Sequence, residues 1–502
     1  MWAERYLPRI VLAILGVCFV FVWIEDLWRP AWDSAMYLKT AQSLAEGEGY
    51  QFAGRTFFLR PPGVAWVLSF FEDDGWDFRV LNRLMGAFAA ATIAAIYLVV
   101  KQLHGKWMAL GVALLSATSP LFLSYLNWVI SEFPYLALFF ATLYLLHRSM
   151  EPAPENGGSS SSMVPWWTLA AGLCFGCTLY VRTAGLLIVP AVVCFVFVRR
   201  RQVSLRGAIV PVLVAGALLI PWLRYSKAAE KVAERPVVQM NLFTYSTGMF
   251  HEDPGDPDSP RIGLGGFWER ALHNDGIIIT DVASTLPWMP EPLEPLLILA
   301  LVLGCVWTAW KHHSLLEWTA AGYSATILFY FSTERRLALP LVPFVFLYLL
   351  APLKGWCEHQ AGRPGWQRIR GLPVVLFALL FVGNLIVMPH SLTPQVWPDD
   401  YPQAMVNCAD KIRDIVPEDK AFAAHAAPLL SVLTGREAYT YKGRDLKSLV
   451  GLDFDYVVID HDASSALQKF VAKRAVQAWV FEADAYPLQA IYRLDRSGAL
   501  GE

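Results

Sequence analysis

Charge is scarce in this chain. Only 17% of its 502 residues are Asp, Glu, Lys or Arg, while 55% are hydrophobic, and the mean hydropathy is +0.39. A water-soluble globule of this size carries more polar surface than that, so the composition argues for a polytopic membrane protein. A basic surplus is also missing: the net charge is −2, which leaves no electrostatic footprint for nucleic acid and makes the lipid bilayer the partner that composition implies. Disulfide spacing is absent too. Of seven cysteines, Cys18, Cys174, Cys177, Cys194 and Cys305 sit in apolar runs, and only Cys357 and Cys408 lie in polar segments. The CxxC spacing of Cys174 and Cys177 therefore reads as helix packing rather than redox chemistry. Finally, "FVFVWIEDLW" lacks the small residues that a signal peptidase needs, so the run behind "MWAERYLPR" reads as an uncleaved first span that starts in the cytoplasm.

Apolar runs of spanning or near-spanning length fall at 10–24, 80–100, 107–123, 131–147, 207–223, 296–310, 317–333, 337–352 and 372–389. A longer run, 166–198, is broken at "YVRTAG" and reads as a hairpin of two short helices turning near Arg182, which brings the expected total to about eleven spans. With the N-terminus inside, the inner connections are 101–106, 148–165, 199–206, 311–313 and 353–371, and nearly all carry Lys or Arg, as the positive-inside rule requires. "EPAPENGGSSSS" within the second of these reads as a flexible linker. Three larger segments then face outward: 25–79, 224–295 and the tail from about 390. The tail alternates helices with short strands: "AFAAH", "AYTY", "FDYVVIDH" and "LQAIYRLD" as strands, "SALQKFVAKRAVQAWV" as a helix. The expected fold is thus a polytopic α-helical membrane domain, residues 1–390, followed by a small extracytoplasmic α/β domain, residues 391–502.

The outer segments hold the candidate chemistry. "RPAWDSAMYLKTAQSLAEGEGY" (29–50) reads as an interfacial amphipathic helix, with Tyr37, Leu38, Ala41, Leu44 and Ala45 on one side and Lys39, Gln42, Ser43 and Glu46 elsewhere. Asp33 suits its N-cap, and it equally suits a site. "FFLRPPGVAWVLSFF" (57–71) puts Arg60 ahead of two prolines and a helix too short to span. Glu132 heads the fourth span, where it serves either the helix dipole or chemistry. Arg182, Arg335 and Arg336 fall at the outer ends of their segments, as snorkelling anchors or as anion ligands. The acids of "FHEDPGDPDSPRIG" lack regular ligand spacing, and the Asp460–His461 pair ends a strand; both read as solvated surface.

The order of these elements resembles the GT-C class of integral-membrane glycosyltransferases, in the branch of protein O-mannosyltransferases and the aminoarabinose transferases of lipid A. "WDSAMYLKTAQSLAEGEGY" and "RPPG" are similar to the first outer loop of that branch, with Asp33 on its acidic position and Arg60 where lysine is usual. Glu132 matches a second acid, where aspartate is the more frequent residue; "LYVRTAGLLIVPA" and "STERRLALPLVPFVFLYLL" match two further landmarks. The resemblance spans about residues 10–390. It implies a sugar taken from a polyprenyl-monophosphate donor and passed, with inversion, to a protein, lipid or glycan acceptor at the outer face of the inner (plasma) membrane. It implies Asp33 and Glu132 as catalytic carboxylates, Asp33 acting as general base on the acceptor hydroxyl or orienting it, Arg60, Arg182, Arg335 and Arg336 as donor phosphate ligands, and Tyr37 as an acceptor or sugar contact. Of the last arginine pair, Arg336 comes first because it stands nearest the following "LALPLVP" span. No metal or cofactor is expected. Two rivals remain at this stage. A transporter or flippase would place charges near mid-membrane, in repeated halves that this sequence lacks. A membrane-anchored ligand-binding or sensory protein leaves the Asp33, Arg60 and Glu132 arrangement unexplained.

Overall fold

The computed structural model describes residues 2–52, 54–73, 75–151, 166–232, 249–252, 259–283, 285–286, 291–330, 334–360, 370–392, 401–424, 427–436, 438–440, 454–460, 471, 475–480 and 488–494. The linker read at 151–162, apart from Glu151, the central acids of the 250–263 stretch and His461 lie outside them. Helices dominate, and among the described residues five are long and apolar enough to cross a membrane: Phe78–His104, Leu205–Lys231, Glu294–His312, Arg335–Gln360 and Leu372–Leu392. Shorter apolar helices at Tyr6–Val22, Lys106–Ala117, Trp166–Val181 and Thr183–Arg199 pack among them.

The chain begins with α1 (Trp2–Val17), which relaxes into a π-helical turn at Cys18–Val22. Then come α2 (Trp32–Ala45), a two-stranded ribbon of β1 (Gln51–Phe52) and β2 (Arg55–Thr56), α3 (Gly63–Leu68), α4 (Phe78–His104), α5 (Lys106–Ala117) and α6 (Pro120–Ser124). The single run expected at 107–123 is in fact broken at Thr118 and Ser119, where Pro120 starts a new helix because it needs no N–H partner there. α7 (Glu132–Met150), α8 (Trp166–Val181), α9 (Ile188–Arg199) and α10 (Leu205–Val232) follow. The expected turn near Arg182 is present as a 3₁₀ turn, Thr183–Leu187, between α8 and α9. α7 and α8 meet at Thr142, Thr178 and Cys174, whose side chains touch at 3.0 and 3.3 Å, and Cys174 and Cys177 are free thiols.

The 224–295 segment is not a plain loop. α10 runs on to Val232, and α11 (Leu264–Ala283) packs beneath the turn that leads into a later span. Asn274 on α11, 2% exposed, donates to the carbonyls of Leu328 at 2.9 Å and Tyr330 at 2.7 Å, which satisfies the end of α13 (Leu315–Leu328). Between them lies α12 (Glu294–His312); a 3₁₀ turn (Arg335–Leu341), α14 (Val342–Gln360) and α15 (Leu372–Leu392) complete the helical part.

The inner connections expected from charge gather at one end. The His104 and His312 rings lie 4.5 Å apart, Arg199 donates to the His312 carbonyl, and Lys106 Nζ donates to the Glu4 carbonyl at 3.2 Å. The tail is α/β: α16 (Tyr401–Ile415), β3 (Phe422–Ala424), α17 (Ala427–Thr434), β4 (Ala438–Thr440), β5 (Tyr456–Asp460), β6 (Ala475–Val480) and β7 (Leu488–Leu494). The sheet order is β4-β3-β5-β7-β6, parallel on the β4-β3-β5 side and antiparallel at β7. Here "AVQAWV", expected as the end of a helix, is instead the edge strand β6, because its backbone pairs antiparallel with Ala490–Leu494 of β7. α17 also packs on α2, so part of the α2 surface faces protein. Ser34, Thr40 and Ser43 are buried along with its apolar residues, and Ala45 is exposed.

Candidate functional site

Asp33 sits in the first turn of α2, but the N-cap is Ala31, so the capping alternative fails. The indole of Trp28 donates to Ser34 Oγ at 2.8 Å and fixes where the helix begins. Freed from capping, the Asp33 carboxylate reaches across the molecule to Arg336, Oδ2 to Nη2 at 2.7 Å. Arg336 stands on the 3₁₀ turn before α14, and it also meets Glu132 at 3.5 Å and Glu334. Glu132, the first residue of α7 and 2% exposed, takes a hydrogen bond from Arg182 Nη1 at 2.7 Å through Oε1. Its other oxygen is buried without a hydrogen-bond partner among the described residues. Arg182 therefore is not a snorkelling anchor alone: it bonds an acid and lies 5.7 Å above the Tyr135 ring.

Three carboxylates and two guanidiniums thus share one end of the helical part, the end opposite the His104–His312 contact. Burial opposes ionisation of Asp33, but Arg336, Arg60 and Arg182 outweigh it and hold the carboxyl below the ordinary value of 3.8. Arg60 and Arg335 are half-buried beside this network, and Tyr37, one turn after Asp33, is buried at 3% exposure. Among the described residues no group of three His, Cys, Asp or Glu is placed to hold a metal.

The "GEGY" and "RPPG" stretches acquire a physical reason. Gly47 and Gly49 adopt φ of 78° and 92°, left-handed values that end α2 and turn the chain back. Tyr50 then donates to the carbonyls of Arg60 at 3.1 Å and Pro61 at 3.4 Å, pinning the turn that carries Arg60. Tyr225 of α10 donates to the Tyr50 carbonyl at 3.2 Å and locks the ribbon in turn. At Gly63 the backbone of α3 lies so close to α8 that a Cβ would sit 2.5 Å from the Tyr180 carbonyl oxygen. Gly63→Ala is expected to push α3 off α8, cost about 1–3 kcal/mol, and cut activity by separating Arg60 from Arg182. Gly216→Ala, whose Cβ meets nothing within 4 Å, should leave both thermal stability in detergent and turnover at the parent level.

Between α3, α4, α7, α8 and α10 opens an apolar cleft of about 820 Å³. Its walls include Pro62, Val181, Trp66, Phe88 and Trp222, so the cleft runs up to the residues that flank Arg60 and Arg182. Sequence reading passed over three groups here. Glu334 was visible in "STERR" but overshadowed by the arginines beside it. Tyr125 and Trp128 lie in the short irregular stretch before α7, ring centroids 5.5 Å apart. Burial pushes the Tyr125 phenol up to about 12, which keeps it a hydrogen-bond donor, and the Trp128 indole N–H is buried without a partner among the described residues.

Known proteins resemble this chain in part of its sequence and in its fold. Residues 59–225 match a family profile described as dolichyl-phosphate-mannose-protein mannosyltransferase, a stretch that contains Arg60, Glu132 and Arg182. ArnT from Cupriavidus metallidurans, solved with undecaprenyl phosphate, superposes with a TM-score of 0.61 at 13% identity over 98% of this chain and 99% of its own. The Archaeoglobus fulgidus oligosaccharyltransferase AglB, solved with an inhibitory peptide and a dolichol-phosphate, gives a TM-score of 0.61 at 12% identity over 92% of this chain and 70% of its own. No curated protein sequence matches the chain. The fold is that of the GT-C glycosyltransferases.

Proposed function

We propose that this chain, built on the GT-C fold, is an inverting glycosyltransferase that moves a sugar from a polyprenyl-monophosphate donor to a hydroxyl of a protein, lipid or glycan acceptor. The observation that carries the reading is the reach of the apolar cleft: space for an isoprenoid tail extends to Pro62 and Val181, within two residues in sequence of Arg60 and Arg182. Those guanidiniums, with Arg335, take the phosphate, and Arg336 aims Asp33. Asp33 accepts the acceptor's hydroxyl proton as that oxygen bonds to the anomeric carbon. The bond from that carbon to the donor phosphate breaks with its electron pair, leaving polyprenyl phosphate as the departing anion. The unpartnered oxygen of Glu132 receives a hydroxyl of the sugar or acceptor, and Tyr37, buried one turn after Asp33, serves as a further sugar or acceptor contact. A transporter would need its charges near mid-membrane, whereas these gather at one end.

The membrane arrangement belongs to the same proposal. About eleven spans in the inner (plasma) membrane, an inward N-terminus, domain 1–390 and an outward domain 391–502 put the site at the outer headgroup level. Exposed Trp66, Phe70 and Trp268 suit that depth. Mass spectrometry of envelope glycans and glycoproteins, with and without the gene, tests the function. Loss of one sugar type is the expected result, and an unchanged profile overturns it.

The carboxylate also sets a pH dependence. Asp33 must be ionised to act, and its lowered pKa puts the acid limb of kcat/KM, which reports the free enzyme, below the ordinary aspartate value. A bound phosphate offsets the arginine charges that depress Asp33, so its pKa rises in the complex. The acid limb of kcat is therefore expected at higher pH than that of kcat/KM, as read from initial rates from about pH 2 to about pH 6, about two pH units either side of the ordinary carboxylate value. Coincident limbs would separate the arginines from the phosphate.

A further inference from the structure

A second cavity lies far from the Asp33 network, at the end where His104 meets His312. It is enclosed by α5, α14 and α15 and measures about 440 Å³. Its floor is apolar, with Met108, Leu114, Leu350 and Phe377, and its rim carries Lys354, Arg370 and Glu358 beside Trp107. α15 leaves it open toward lipid: only 11% of that helix's apolar window is buried, and Val374 is 67% exposed. The Lys354–Glu358 pair, at 3.8 Å with Glu358 64% exposed, is a loose i,i+4 contact of little energy and does not neutralise the rim.

We propose that this cleft is a binding site for an anionic phospholipid of the leaflet opposite the Asp33 site. An acyl chain lies along Leu114, Leu350 and Phe377, the phosphate rests against Lys354 and Arg370, and Trp107 sits at headgroup level. Charge selects the occupant. A zwitterionic headgroup brings its own ammonium against the same cations, whereas an anionic glycerol phosphate does not. The apolar floor facing the bilayer asks for an acyl chain rather than a soluble anion. The site is independent of the glycosyl-transfer reading, since none of its residues lies in that network.

The test is native mass spectrometry of the full-length protein supplied with equal amounts of phosphatidylglycerol and phosphatidylcholine of the same acyl chains. The parent is expected to retain phosphatidylglycerol preferentially. The double variant Lys354→Glu with Arg370→Glu should lose that preference by at least about tenfold, two surface cations each contributing severalfold. Lys354→Arg should keep it. Lys101→Glu with Arg206→Glu removes two cations from other inner connections and should also keep it. Gly111→Leu, which adds bulk to the cleft wall, should lower retention of both lipids without altering the elution volume. Equal retention of the two lipids by the parent overturns the proposal, as does an equal loss in the Lys101 and Arg206 control or unchanged binding in the charge-reversed variant.

Discussion

Asp33→Asn should lower kcat by at least about a hundredfold, the lower range for a general base, while the protein remains in the membrane at close to its normal level. The structure separates the two effects. Capping contributes nothing at this position, because Ala31 is the N-cap of α2. Asparagine keeps the size and the oxygen that faces Arg336. Arg336 is not stranded by the change either, since Glu132 at 3.5 Å and Glu334 remain against it. The penalty for leaving a buried charge unpaired is thereby avoided. What disappears is the ability to accept a proton. Measured on purified protein with saturating donor, a variant that turns over at the parent rate would reduce Asp33 to an ion-pair anchor for the Arg335–Leu341 turn. A variant lost from the membrane would point the same way, and Arg336→Gln, which leaves Asp33 its carboxylate, would then separate anchoring from chemistry by keeping measurable turnover.

Asp33, Arg60, Glu132, Arg182 and Arg336 were legible because each sits beside a local signal: a helix start, a proline pair, a span terminus, a broken hairpin. Their pairing was not legible. The Asp33–Arg336 contact closes a separation of most of the chain, and no spacing rule reaches that far. The same distance hid the fate of α2. Its amphipathic pattern fits a lipid surface as well as it fits protein, and the contact with α17, contributed by the tail, is not readable from that pattern. Ser43 shows the difference: assigned to the polar side by periodicity, it is buried, donating to the Gly49 carbonyl at 3.1 Å. β6 failed for another reason. "AVQAWV" has no periodicity strong enough to choose between helix and strand, and pairing with β7 settled it. α11 was missed although its sequence is amphipathic, because Gly265, Gly266 and Gly276 interrupt it with residues that read as loop.

Arginine-to-lysine substitution gives the second large effect, and it divides the four candidate phosphate ligands by role. Arg60→Lys and Arg182→Lys should each raise the apparent donor KM by about tenfold, the worth of one charge-assisted hydrogen bond lost when a two-pronged grip becomes a single contact. Arg182 should show the larger change, because its guanidinium also holds Glu132 Oε1 at 2.7 Å and lysine cannot serve both partners in that geometry. Arg335→Lys belongs with these two. Arg336→Lys should instead lower kcat with little change in donor KM, since Arg336 meets Asp33, Glu132 and Glu334 rather than open space. The sequence alone put Arg336 ahead of Arg335 as a phosphate ligand; three carboxylates around it argue that its charge is already committed to orienting them. Donor titration on purified variants in nanodiscs reads both constants. An interfacial anchor behaves differently, because lysine snorkels as readily as arginine and the change would be silent. Four lysine variants that match the parent in both constants would remove the phosphate grip from this mechanism and return these residues to the lipid headgroups.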